Sequence, residues 1–371
     1  MSLTLDRPAQ RNEAQSRLQV IDCDIHPSLA DDRALFPYLS AQWREHLSQY
    51  GNRPHTIYAE RGTYPRFAPN TARRDAWPPS GKPPGADLAF MQRQHLDAYN
   101  IEFGVLEPLV DANTPRNLEL ATAMTHAVNE WQIAEFTSKE PRLKASIQVA
   151  AEDTEGAVAE IELRAGDPQF AQVQLGSRSL EPIGRKRYWP IFAAAQAHNL
   201  PIGFHIGGPS AFSPTPTGWP DFYVEDHHVL IHSMQAQAAS LILEGVFEHF
   251  PRLRVVMIEG GFAWAAPLAW RLDKHWAKMR NEVPHVKRPP SEYMRANVWF
   301  ATQPMEEPEN PEDLRLIFDC IGWDRMLYSS DYPHWDFDDP ARAFRIEMSE
   351  AERRLILHDN AVAFYQLDER G

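Results

Sequence analysis

The chain is poor in cysteine. Cys23 and Cys320 are its only two, too few for the disulfide framework of a small secreted fold and too far apart for a CxxC redox or zinc motif. No run of about 18 uncharged apolar residues occurs, so a membrane-spanning helix is not expected. Positive charge is in deficit: 37 Lys and Arg stand against 51 Asp and Glu, a formal net charge of −14. The average field therefore repels phosphate backbones and anionic lipid surfaces, and neither nucleic acid nor membrane is an expected partner. The segment up to Arg17 is polar and of mixed charge, without the apolar stretch of a secretory leader, and the expected location is the cytoplasm. Hydrophobic residues at 43% and charged residues at 24% are typical of a globular chain and exclude a disordered one.

Proline is abundant, at 31 residues, and clusters between Pro54 and Pro84, Pro209 and Pro220, and Pro304 and Pro311, which marks long structured loops. Between these loops lie eight short apolar or β-branched runs: Leu18 to Ile25, Ile101 to Leu106, Leu143 to Val149, Phe170 to Leu175, Pro201 to His205, Leu253 to Ile258, Val298 to Ala301 and Met326 to Tyr328. Helical stretches alternate with them, among them Asn117 to Glu140, Thr154 to Ala165, Tyr188 to Asn199, His228 to Phe250, Ala263 to Arg280, Pro311 to Cys320 and Ser349 to Leu357. Strands alternating with helices favour a parallel sheet, and eight such units favour an α/β fold closed as a (β/α)8 TIM barrel over an open sheet. No GxGxxG follows the first strand, which weakens a dinucleotide-binding reading. The expected organisation is an N-terminal tail over 1–17 and a single barrel domain over 18–371. The stretch 27–84 is too long for an ordinary loop and is expected to cap the barrel mouth.

In such a barrel, chemistry belongs at the C-terminal ends of the strands. The first run ends Asp22-Cys23-Asp24-Ile25-His26, and strict alternation would put Asp22, Asp24 and His26 on one face. Asp24 and His26 then offer a carboxylate oxygen and an imidazole nitrogen, donors that zinc, manganese or iron accept. A loop-capping role for either aspartate stays open. The fifth run ends in His205, followed by Gly207 and Gly208. The sixth runs directly into Glu259, where an unpartnered charge would be costly, so it is either catalytic or paired with an arginine such as Arg271. The eighth ends at Asp331, with His334 three residues on. Each residue alone has an ordinary explanation as a cap, turn former or ion pair. Several potential ligands closing strands one, five and eight are a metal-site pattern. His227 and His228 read as a solvated helix start, His275 as a surface or packing residue, and Trp43, Tyr58, Trp77 and Trp219 as aromatics that line a pocket or hold the cap together.

The segments VIDCDIHP, RLKASIQVAAED, LPIGFHIGG, GVFEHFPRLRVVMIEGG and LYSSDYPHWD resemble the amidohydrolase-related family that includes aminocarboxymuconate-semialdehyde decarboxylase, within the amidohydrolase superfamily. That resemblance, from Val20 to about Phe364, implies a TIM barrel holding one divalent metal, zinc foremost or manganese. The implied ligands are Asp24, His26, His205 and Asp331, the implied assembly is a homo-oligomer, most simply a dimer, and the partner is a small-molecule substrate. The chain departs from the family in two places. Glu259 stands where the decarboxylases carry a histidine after strand six, and Gln172 and Gln174 offer no charged bridging ligand at strand four, which favours one metal over two.

The resulting expectation is a metal-dependent hydrolase, in which an activated water attacks an amide, ester, lactone or carbon–carbon bond of a small cyclic or aromatic substrate. Asp331, Glu259 and His334 are the catalytic candidates. The alternative is nonoxidative decarboxylation of an aromatic or muconate-like acid, with Asp331 or Glu259 as proton donor and Arg44, Arg61 or Arg178 available to clamp a carboxylate. A barrel that binds without turnover is the third class, disfavoured because buried carboxylates are costly to keep idle.

Overall fold

The structure, a computed structural model, describes residues 18–31, 33–51, 68–110, 112, 117–207, 215 and 217–367. Eight strands, β1 (Val20–Ile25), β2 (Ile101–Leu106), β3 (Leu143–Gln148), β4 (Phe170–Gly176), β5 (Ile202–His205), β6 (Val255–Ile258), β7 (Val298–Ala301) and β8 (Met326–Leu327), run in sequence order around one sheet. Every neighbouring pair is parallel. The sheet closes on itself through backbone bonds from Cys23 N to the Tyr328 carbonyl at 3.0 Å, His26 N to Tyr332 at 2.7 Å and Asp331 N to Asp24 at 3.2 Å. The result is the (β/α)8 barrel expected from the alternating runs.

Strands in a closed parallel barrel are covered on both faces, which is why runs such as Val255-Val256-Met257-Ile258 are apolar throughout and fully buried. One set of side chains, including Leu106, Ile147, Val173, Phe204, Met257 and Phe300, packs outward under the helices. The other set, including Ile21, Cys23, Val105, Ala171, Val256, Ile258 and Leu327, fills the barrel interior together with Phe364 and Tyr365. Those two aromatics come from the helix Asn360–Tyr365, which lies beyond the end expected for the last helix. The Tyr365 hydroxyl donates to Gln172 Oε1 on β4 at 3.2 Å, so this side chain crosses the interior and plugs it. Toward the C-terminal ends of the strands the filling turns polar: Glu107, just past β2, accepts from Ser146 Oγ at 2.9 Å and from the Gln172 amide.

Helix starts follow their capping residues. Asn117 Oδ1 accepts from Leu120 N at 3.1 Å ahead of the helix Leu118–Gln132, and Asp153 Oδ1 accepts from Gly156 N at 3.2 Å ahead of Thr154–Arg164. The single helix expected over 228–250 is instead three, Tyr223–Val229, Ile231–Leu243 and Val246–His249. Gly245, at φ 81°, makes the last of these breaks in a left-handed conformation that glycine adopts without a Cβ clash.

The insertion after β1 serves two places. The helix Ala41–Tyr50 and the turn before it lie against the barrel's side, where Tyr38, Leu39 and Trp43 share a groove with Thr122, His126 and Glu160. Residues 71–73 instead meet the loop after β8: Trp335 N donates to the Thr71 carbonyl at 2.7 Å and Arg73 N to that of Pro333 at 3.0 Å. Tyr58 lies outside the described residues.

Candidate metal centre

At the end of β1 the strict alternation expected from the sequence fails. The pairing with β2 shifts register between Asp22 and Ile25, and a slip of one residue turns the following side chains to the other face. Asp22 therefore does not join Asp24 and His26. Its carboxylate accepts from Ser330 N at 2.9 Å, Ser330 Oγ at 2.5 Å and His95 Nε2 at 2.7 Å, stitching the seam between β1 and β8. Cys23, expected on the opposite face, points into the barrel interior.

Asp24 and His26 project into the mouth and meet His205 from β5 and Glu259 from just after β6. His26 Nδ1 lies 2.6 Å from the Glu107 carbonyl, and His205 Nδ1 lies 2.7 Å from that of Ile206. A carbonyl only accepts, so each Nδ1 carries the proton and each Nε2 turns its lone pair inward. Both Asp24 oxygens, the Nε2 atoms of His26 and His205, and Glu259 Oε2 are buried without an aligned hydrogen bond. They nevertheless crowd together: His26 Nε2 is 3.2 Å from Asp24 Oδ1, and His205 Nε2 is 2.8 Å from Glu259 Oε2 and 3.8 Å from Asp24 Oδ1. Donors about 2.1 Å from one shared ion lie roughly 3 to 3.5 Å from each other. Orphaned lone pairs at this spacing fit a divalent cation.

Asp331 and His334 complete the cluster. Asp331 Oδ1 is 2.8 Å from His26 Nε2 and 2.5 Å from His334 Nδ1, and the His334 ring stacks on that of His26 at 4.4 Å. Two overlapping quartets, Asp24 with His26, His205 and Glu259, and His26 with Glu259, Asp331 and His334, each bring their ligand atoms within 4.8 Å of one another. Glu259 belongs to both. It faces the two histidines, whereas Arg271, its possible ion-pair partner, is exposed on the helix Ala265–Met279. Glu259 and Asp331 also share a backbone feature, φ of 57° and 61°, in the left-handed region that non-glycine residues enter at a cost and that clusters at functional sites.

Burial and crowding set the charges. Burial, then the neighbouring Glu259 and Asp336, push the Asp331 carboxyl well above its usual range. Burial alone would lower both ligand histidines, but the facing carboxylates win: His26 is raised by Asp24 and Asp331, and His205 is raised to about 9 by Glu259 and Asp24. His334 goes the other way, to about 4, through burial and the charge of His26. Burial pushes Glu107 up to about 8. A cluster with this many carboxylates attracts positive charge.

A model of the family described as Amidohydrolase matches residues 21–367. The chain belongs to the amidohydrolase family. Among curated relatives, gamma-resorcylate decarboxylase from Polaromonas sp. is 26% identical over 296 residues, covering 74% of this chain and 86% of the relative. Among solved structures, an amidohydrolase from Mycobacterium avium subsp. paratuberculosis superposes with a TM-score of 0.72 at 22% identity, covering 95% of this chain and 100% of that one. A 5-carboxyvanillate decarboxylase from Novosphingobium aromaticivorans, complexed with manganese and 4-hydroxy-3-methoxy-5-nitrobenzoic acid, gives 0.71 at 19% identity over 96% of this chain and 97% of that one.

The remaining sequence candidates of this amidohydrolase are spread out. Arg44 is exposed on the helix Ala41–Tyr50, His275 is exposed on Ala265–Met279, and Arg61 lies outside the described residues. Arg178 follows β4, its backbone N donating to the Gly207 carbonyl at 2.8 Å. The amidohydrolase also has site neighbours that sequence reading missed. Gln303 Nε2 donates to Asp331 Oδ2 at 3.2 Å and to the Asp336 carbonyl at 3.4 Å, and its only sequence signal is a polar residue past the seventh run. His227, expected in a solvated helix start, instead turns Nε2 onto Asp336 Oδ2 at 3.1 Å.

Proposed function

We propose that this amidohydrolase is a metal-dependent, nonoxidative decarboxylase of an aromatic carboxylic acid, with one divalent ion, manganese or zinc, held by Asp24, His26, His205 and Asp331. The observation that carries the metal is the convergence of the unprotonated Nε2 atoms of His26 and His205 on the orphaned Asp24 carboxylate at the strand ends. The likeness to decarboxylases favours loss of carbon dioxide over the hydrolysis expected from the sequence.

A divalent ion bound there supplies Lewis acidity, fixing the substrate carboxylate and an adjacent ring hydroxyl. The residues do the rest. The carbonyls of Glu107 and Ile206 hold the two histidines in one tautomer and one orientation. Gln303 fixes Asp331 from the other side. Replacing the carboxylate requires a proton at the ring carbon that bears it, and the Asp331–His334 pair, at 2.5 Å, delivers that proton from Asp331. The carbon–carbon bond then breaks, its electron pair returns to the ring and carbon dioxide leaves. Glu259, at 2.8 Å from His205, is the second acid within reach and the second candidate for this transfer.

The test is to incubate the manganese- or zinc-loaded protein with hydroxybenzoic acids, aryl amides and lactones and follow masses. Carbon dioxide loss from an acid is expected. Gain of water by an amide or lactone, with every acid unchanged, overturns this reading in favour of hydrolysis.

A further inference from the structure

Beside the metal centre stands a group of rings whose polar ends are tied together. Tyr223 and His227 are one turn apart on the helix Tyr223–Val229, so they share a face, and their rings stack at 5.7 Å and 17°. Trp335, next to His334, lies 6.3 Å from the Tyr223 ring and 6.0 Å from His227, and its Nε1 donates to the Tyr223 hydroxyl at 3.0 Å. His227 Nε2 is anchored on Asp336. Asp336 is linked to the cluster in turn, because the Gln303 amide bridges its carbonyl and the Asp331 carboxylate. The charges of Glu259 and Asp331 act on both His227 and Tyr223, which puts these rings at the edge of the metal centre.

An anionic substrate meets a problem at this mouth. Asp24, Glu259, Asp331 and Asp336 all face it, and their combined field repels a carboxylate. His227 is the counterweight. Its hydrogen bond to Asp336 outweighs burial and raises it to about 9, so the ring is an imidazolium at neutral pH. With Nε2 committed to Asp336, Nδ1–H is its second donor. The flat faces of Tyr223 and Trp335 suit a flat ring, which prefers offset or edge contact with aromatic neighbours.

We infer that Tyr223, His227 and Trp335 form the recognition wall for a carboxylate-bearing aromatic ring, the aromatic faces holding the ring and the His227 imidazolium holding its carboxylate. The inference rests on the aromatic-acid reading of the metal centre and assigns that site's selectivity to residues outside the metal ligands.

Calorimetry on the manganese-loaded protein tests it, with 2-hydroxybenzoate and the uncharged 2-hydroxybenzamide as paired probes and metal content measured for each variant. A charge-assisted hydrogen bond contributes about a factor of ten in affinity. His227→Gln is therefore expected to weaken 2-hydroxybenzoate about 10-fold and to leave the amide within about 2-fold. Trp335→Leu is expected to weaken both probes alike. The inference is overturned if His227→Gln binds both probes as the wild type does or weakens both equally, or if the wild type does not prefer the carboxylate. Carbon dioxide release is scored separately. His227-dependent carboxylate binding without release from any acid defeats the decarboxylase reading and leaves the wall standing; release with His227-independent binding does the reverse.

Discussion

The two ends of the barrel interior are built from the same strands and obey opposite rules. Cys23 and Asp24 are adjacent on β1, yet the thiol is packed among Val105, Val256, Ile258 and Tyr365, while the carboxylate next door has no aligned hydrogen bond on either oxygen. The same change occurs between Ile258 and Glu259. At the plugged end apolar atoms are covered and the polar Tyr365 hydroxyl finds Gln172; at the mouth, buried polar atoms accumulate unsatisfied. An orphaned buried polar atom is costly, and several within 4.8 Å make sense only where a ligand repays them. One end of the interior serves stability and the other serves chemistry.

The largest effect that can test this division is on turnover at the mouth. His205→Ala removes a ligand, so activity should fall by more than the roughly 10- to 100-fold that loss of an outer-shell partner costs, with metal content reduced and the fold retained by circular dichroism. A His205→Ala protein with full metal content and full turnover breaks the comparison. Glu259→Gln sharpens it. Turnover should drop by about 10² to 10⁴ if the carboxyl moves a proton, with metal content little changed; a parallel loss of metal instead makes Glu259 a ligand; a lower melting temperature with normal turnover per folded molecule makes it structural.

The plugged end should respond in the opposite sense. Phe364 is 1% exposed inside the barrel, so Phe364→Ala should cost about 3 to 5 kcal/mol in urea unfolding, while turnover per folded molecule stays near that of the wild type. The smallest effect belongs to the outer wall. Burial alone would raise Glu160, but hydrogen bonds from His126, Arg164 and Asn129 outweigh it and hold the carboxyl at about 2. A carboxyl depressed on folding adds stability at pH values above its unfolded pKa of about 4.5, and that stability is lost as pH falls toward about 2. Glu160→Gln should flatten the acid limb of the stability curve in this window and leave neutral-pH turnover unchanged.

Much of the fold was legible because each strand is a short apolar run that must be covered on both faces, and in a barrel the residue closing each run falls at the mouth. Asp24, His26, His205, Glu259, Asp331 and His334 were all found by that rule, and the structure brings them into one cluster. The helix breaks near Leu230 and Gly245 were less legible, because the apolar periodicity continues across them.

What the sequence by itself determined is the set of strand ends and the chemistry they carry, since both follow from local pattern. Only the tertiary structure decided which atoms meet. It turned Asp22 away from Asp24 through a register shift and onto Ser330, 308 residues distant in the chain. It set Glu259 against His205 and not an arginine, and drew His227 out of an apparently solvated helix onto Asp336. Closure of a barrel joins its first and last strands, and the loops beyond them are positioned by contacts with remote segments. No periodicity within a single run of sequence encodes those meetings.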